Sequence, residues 1–206
     1  MIIGKKKELE NEKISDNQNT LFKDCVELAN KLLGIKTKKT KITQKTAEND
    51  FLKKEFENIS VDKLEIEAPV VDILNKRIEE IKKNLGSNAS LSAVIMCGSV
   101  LEGILLGTAL SKKKKFNKSP SSPKEKNTGK VLPFNQWTLS NFIDVAHDIG
   151  LLGLDVKKFS HSMRDFRNYI HPYQQMCSKF SPDLDTAKIS WQVLQAAITD
   201  LKKNKN

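Results

Sequence analysis

Thirteen residues, HSMRDFRNYIHPY (161 to 173), hold two of the three Arg and two of the three His in the whole chain. The basic residues number 35, and apart from Arg77, Arg164 and Arg167 all are Lys, so two Arg three residues apart stand out. Guanidinium differs from ammonium in its planar, bidentate fork, which suits a phosphate. An imidazole nearby can transfer protons near neutral pH. Together these groups match cleavage of an RNA phosphodiester without a metal. The 2′-hydroxyl must lose a proton, the phosphorane gains negative charge, and the 5′-oxygen must gain a proton. Arg164 and Arg167 would bind and stabilise the phosphate, Asn168 would orient it, and His171 would be the general acid or base. His161, Tyr169 and Tyr173 are the candidates for touching the RNA, the tyrosines by stacking on bases.

Such a set works only if one element holds it. Asp155 can cap a helix that ends at His171, because Pro172 disfavours helical geometry in the residue before it. On a continuous helix at about 100° per residue, Arg164 and His171 lie about 20° apart, with Asn168 and Arg167 beside them. Met163, Phe166 and Ile170 then form a separate apolar stripe. A His171 in the last turn would have its imidazolium favoured by the helix dipole. The alternative without chemistry is that Arg164 and Arg167 pair with Asp165, Glu102 or Asp144 while His171 only caps a helix.

The surrounding helices follow from periodicity. LFKDCVELANKLLG (21 to 34) and a short stretch near 49 to 59 have helical spacing, and a further helix runs from Pro69 to Gly86 with Val70, Ile73, Leu74, Ile78 and Ile81 on one face. Residues 91 to 110, LSAVIMCGSVLEGILLGTAL, are the most apolar stretch. A membrane span needs about 20 such residues, but Glu102 near the centre and three glycines argue for a central bundle helix covered on every side. Trp137 to Ile149 reads as a helix capped by Thr138 or Ser140, and Asp183 to about Lys202 as a closing amphipathic helix. No stretch alternates with period two. The expectation is an all-α bundle of five to seven helices over 86 to 206, preceded by a helical extension with a Lys-rich linker over 1 to 85.

The window also carries a resemblance. R-x(4 to 6)-H near a helix end, often with a polar residue directly after the Arg, is the signature of the HEPN superfamily, α-helical ribonuclease and nucleotide-binding domains of bacterial toxin and antiphage systems. Arg164-Asp165 with six residues before His171 resembles the long form, and Arg167-Asn168 supplies the RN pair three residues before His171. The likeness extends more loosely over residues 91 to 200, through SVLEGILL and WTLSNFIDVAHDIGLL. It implies a homodimer with facing motif helices, a shared cleft that cuts single-stranded RNA to a 2′,3′-cyclic phosphate, no cofactor, and an antitoxin or defence-complex partner. Glu102 is either a helix-surface acid or a buried partner of Arg164 or Arg167, since a lone buried carboxylate is costly unless paired, and in the paired case Glu102 and Asp165 support the guanidinium groups. His171-Pro172-Tyr173 is similar to an H-x-Y extension in members whose Tyr is nucleotidylated by a partner. A noncatalytic module of the same type, binding a nucleotide, RNA or protein, is the competing expectation.

Net charge adds less than its total of +10 suggests. Residues 36 to 46 carry +5 and residues 111 to 130 carry +7, so the other 175 residues sum to −2. Both tracts read as solvated linkers, the second as a mobile loop rich in Ser, Pro and Asn. A DNA-binding regulator, which needs dispersed basic residues on an exposed helix, therefore ranks last. Cys25, Cys97 and Cys177 are odd in number and widely spaced, which suggests neither a disulfide framework nor a zinc site. With no apolar stretch at the N-terminus, a cytoplasmic protein is expected.

Overall fold

Seven α-helices pack in the computed structural model, which describes Phe56, residues 59–167 and residues 170–204, with backbone alone for 166 and 167. They are α1 (Ala68–Gly86), α2 (Ser90–Ser111), α3 (Lys113–Lys118), α4 (Leu139–Asp148), α5 (Leu154–Arg167), α6 (Pro172–Ser178) and α7 (Leu184–Lys203), with a 3-10 turn at Phe134–Gln136. Among the described residues there is no strand, only an isolated bridge between Lys124 and Val131. The described part is thus all-α. The helices expected over 21 to 34 and near 49 to 59 lie outside the described residues, apart from Phe56 and Ile59, which are not helical.

α2 is the axis. Its buried residues, among them Val94, Cys97, Leu101, Ile104, Leu105 and Thr108, point in all directions around the helix, because α1, α4, α5 and α7 each pack on it. It is long and apolar enough to cross a membrane, yet more than half of its most apolar stretch is buried within the chain, as a core helix would be. Two of its glycines have a packing reason. A Cβ at Gly103 would stand 3.0 Å from Leu74 of α1, and one at Gly107 would stand 2.9 Å from Ile66. Burial pushes the Cys97 thiol well up, so it is inert as a nucleophile.

α1 belongs to this bundle and not to a separate extension ending at residue 85: Leu74, Ile78 and Ile81 are buried in the same core as Leu101 and Leu194. Its expected face is narrower than periodicity suggested, with Ile73 half exposed. Arg77 Nη1 donates to Ser99 Oγ at 2.8 Å and ties α1 to α2.

Local chemistry sets the other helix starts. Thr138 and Asn141 form a reciprocal cap at α4, and Gly150, at φ 76°, ends it. Asp183 caps α7 by accepting from Thr186 N at 2.8 Å. α5 is started differently from the expectation that placed a cap at Asp155. Gly153 N donates to Asp200 Oδ2 of α7 at 2.9 Å and its carbonyl accepts from Lys157 N, while Asp155 lies inside the first turn. A Cβ at Gly153 would stand 2.7 Å from Asp155 Oδ1, so a larger residue here would make that carboxylate shift.

The stretch 111 to 130 is only in part the loop that its composition predicted. Lys113–Lys118 is helical, Phe116 is fully buried, and Ser119 and Ser122 are buried behind it. Polar composition hid a single aromatic anchor. Phe116 joins Phe134, Trp137 and Phe142 in a cluster with ring centroids 4.9 to 6.4 Å apart.

Candidate functional site

α5 has one side locked in the core and one side open. Val156, Ser160 and Met163, at i, i+4 and i+7, are buried against the neighbouring helices. Lys157, His161 and Arg164 fall within about 60° of one another on the adjoining strip. The core packing fixes that strip in place.

Asp144 of α4 faces it. His161 Nε2 donates to Asp144 Oδ1 at 3.0 Å, and Lys157 Nζ reaches the same oxygen at 2.9 Å. Burial alone would raise the Asp144 carboxyl, and the hydrogen bonds from Lys157 and His161 outweigh it, so the group titrates below the usual carboxylate range. A carboxylate on one ring nitrogen orients the imidazole and leaves its other nitrogen for a ligand or proton. Arg164, a turn further on, is half exposed and donates from Nε and Nη2 to Asp165 Oδ1. An incoming phosphate would compete with Asp165 for that fork.

The single continuous motif helix does not form. α5 ends at Arg167, and His171 is the residue before α6, with φ −90° and ψ 110° and an exposed side chain. Pro172 is the cause. It has no N–H for the carbonyl four residues earlier and forces an extended residue before it, so α5 cannot run through and a new helix starts at the proline. The 20° alignment of Arg164 with His171 and the C-terminal dipole argument for His171 therefore both lapse. Ile170, expected on the buried stripe with Met163, is 56% exposed. Asn168 and Tyr169 lie outside the described residues, as does the side chain of Arg167.

The remaining expected residues are placed as follows. Tyr173, on α6, is 81% exposed. Glu102 is half buried on α2, and Arg164 takes Asp165 as its partner. His147 donates from Nδ1 to the Leu152 carbonyl at 2.9 Å and closes the turn between α4 and α5, an ordinary structural role. Asp144 is the contributor that sequence reasoning misplaced, having been considered only as a counterion for Arg. Its link to His161 spans 17 residues and two helices, and only the α4–α5 packing reveals it. Among the described residues, no three of His, Cys, Asp and Glu gather as metal ligands would.

Comparison with known proteins finds no match: no family model, no curated protein and no solved structure is significantly similar to this chain.

Proposed function

We propose that this chain is a metal-independent RNA endonuclease of the HEPN type, acting in a toxin or antiphage system in the cytoplasm. The observation that carries the reading is the strip Lys157–His161–Arg164 on the core-packed helix α5, with an exposed His171 beyond the end of that helix. In this mechanism Arg164 and Arg167 grip the scissile phosphate and stabilise the phosphorane, and Asn168 orients it. His171 transfers the proton, and the exposed connection that bears it lets the imidazole reach a bound strand. His161, fixed by Asp144, contacts the RNA, and Tyr169 and Tyr173 offer ring faces to bases. Glu102 and Asp165 support the guanidinium groups. A homodimer brings two such strips together over one strand.

A second reading has its own support. Ile170, Tyr173, Met176 and Phe180 are all substantially exposed within eleven residues around α6, and an apolar cluster of this kind suits a protein partner. In that reading the chain is a noncatalytic module of a defence complex, holding RNA, a nucleotide or a protein.

Incubating purified protein with single-stranded RNA in EDTA separates the two. The nuclease cuts, and Arg164→Ala and His171→Ala each slow cutting by about 100-fold or more. RNA left intact by the wild type, or cut equally well by both variants, refutes the nuclease reading.

A further inference from the structure

The folded segment after α2 presents a charge pattern that its own stability does not explain. Lys112 is tied to Glu65 of the chain leading into α1, at 3.0 Å. Lys113, Lys114, Lys115 and Lys118 of α3 are exposed, and no carboxylate among the described residues pairs with them. Lys124, Lys126 and Lys130, on the turn that follows, are exposed and unpaired in the same way. The one acid of the segment, Glu125, accepts from Thr128 Oγ1 instead. α3 has bases in its first turn, no acid there and no side-chain cap, which oppose a short helix, while Lys115 and Lys118 in its last turn favour it only weakly at this exposure.

The segment is nevertheless built as a scaffold. Phe116 is buried among Phe134 and Trp137, Ser122 Oγ donates to the Phe116 carbonyl, and Ser119 Oγ donates to Asp148 at 3.2 Å. The turn is closed by Glu125 N to the Lys130 carbonyl at 2.8 Å and by Gly129, at φ 67°, donating to the Glu125 carbonyl at 2.9 Å. Concentrated, uncompensated like charge on an ordered support is a local rule broken without a structural gain, which is expected where a ligand supplies the compensation.

We infer that this lysine platform, Lys113 to Lys130, binds the phosphate backbone of a nucleic acid without reading its sequence. Lysines are flexible point charges and match a line of phosphates more readily than any base edge. A lipid surface fits less well, since a membrane-binding helix turns apolar side chains outward, whereas Phe116, the one aromatic of the segment, points into the core. Asp148, which holds Ser119, lies one helical turn from Asp144, so the platform adjoins the α4 side that bears the His161 contact. The inference does not rest on catalysis, because a noncatalytic module would carry the same platform.

The test is anisotropy of a labelled, mixed-sequence single-stranded DNA 20-mer titrated with full-length protein at several salt concentrations, a probe that offers phosphates but no 2′-hydroxyl to cut. Replacing Lys113, Lys114, Lys115 and Lys118 together by Gln keeps a good helix former at each position. Each phosphate that a lysine no longer neutralises lowers the slope of log affinity against log salt by about 0.7 for a single strand, so the slope falls by up to about 2.8. Affinity at about 50 mM salt falls at least about 10-fold, and the matching Lys→Arg variant retains both. If the Gln variant does not fold, Lys124→Gln with Lys126→Gln and Lys130→Gln, outside the helix, gives the same reading with a slope change of up to about 2.1. An unchanged Kd and slope in the folded variants overturns the inference. So does binding to phosphatidylserine vesicles without binding to the oligonucleotide.

Discussion

Replacing Phe116 by Ala asks whether the basic segment is part of the fold or a solvated tether. The ring is fully buried, with centroids 6.2 Å from Phe134 and 6.4 Å from Trp137. Truncating a buried Phe costs about 3 to 5 kcal/mol, through the transfer energy forgone and the cavity left behind. The lower end applies here, because α3 is six residues long and can settle into the gap. A loss of about 3 kcal/mol is a large share of a typical stability of about 5 to 15 kcal/mol. At about 2 to 4 °C per kcal/mol for a chain of this size, Tm falls by roughly 6 to 12 °C. Urea denaturation followed by circular dichroism measures the first quantity and a thermal melt the second. Trp137 fluorescence reports the cluster directly. Lys115→Ala, on the exposed side of the same helix, is the control and changes stability by less than about 0.5 kcal/mol. A Phe116→Ala cost below about 1 kcal/mol with unchanged Trp emission refutes the anchored segment.

Two further predictions concern α5. Asp144→Asn removes the charge that holds Lys157 and His161; with these side chains about a quarter to a third exposed, the loss at pH 7 is only about 1 kcal/mol. Because the folded carboxyl titrates below its unfolded range, this stabilisation is complete above about pH 4 and is lost as pH falls through the folded value, so denaturation curves of wild type and variant converge in acid. A gap that persists unchanged at pH 3 would count against the ion-pair account. Ser160 is fully buried and its hydroxyl has no hydrogen-bond partner among the described residues. Ser160→Ala therefore stabilises the protein by about 1 kcal/mol, read as a Tm rise of roughly 2 to 4 °C, and a fall in Tm would mean that the hydroxyl is satisfied.

Helix existence was legible wherever local chemistry decides it. Pro69, Gly86, Thr138 and Asp183 mark starts and stops that the structure keeps within about two residues, and the all-round apolarity of 91 to 110 correctly announced a central helix. What periodicity missed was decided by single residues acting at a distance. Pro172 holds His171 in extended geometry, outside α5, whose described part runs to Arg167. One Phe among eight Lys was enough to fold the segment that composition assigned to solvent. The site was legible as a set of residue types, with His161, Arg164 and Asp165 gathered on one helix, but its geometry was not. The Asp144–His161 contact depends on how α4 crosses α5, which no local pattern encodes.

The central claim is a reaction in which the RNA 2′-hydroxyl is the nucleophile and Arg164 stabilises the phosphorane. Its most direct measurement is end-group analysis after incubating the protein in EDTA with a single-stranded RNA and with the same sequence as DNA. The account predicts cut RNA bearing 2′,3′-cyclic phosphate and 5′-hydroxyl ends, intact DNA, and cleavage abolished in Arg164→Ala. Cleavage of the DNA, 5′-phosphate ends on the RNA, or no cleavage of either would contradict it.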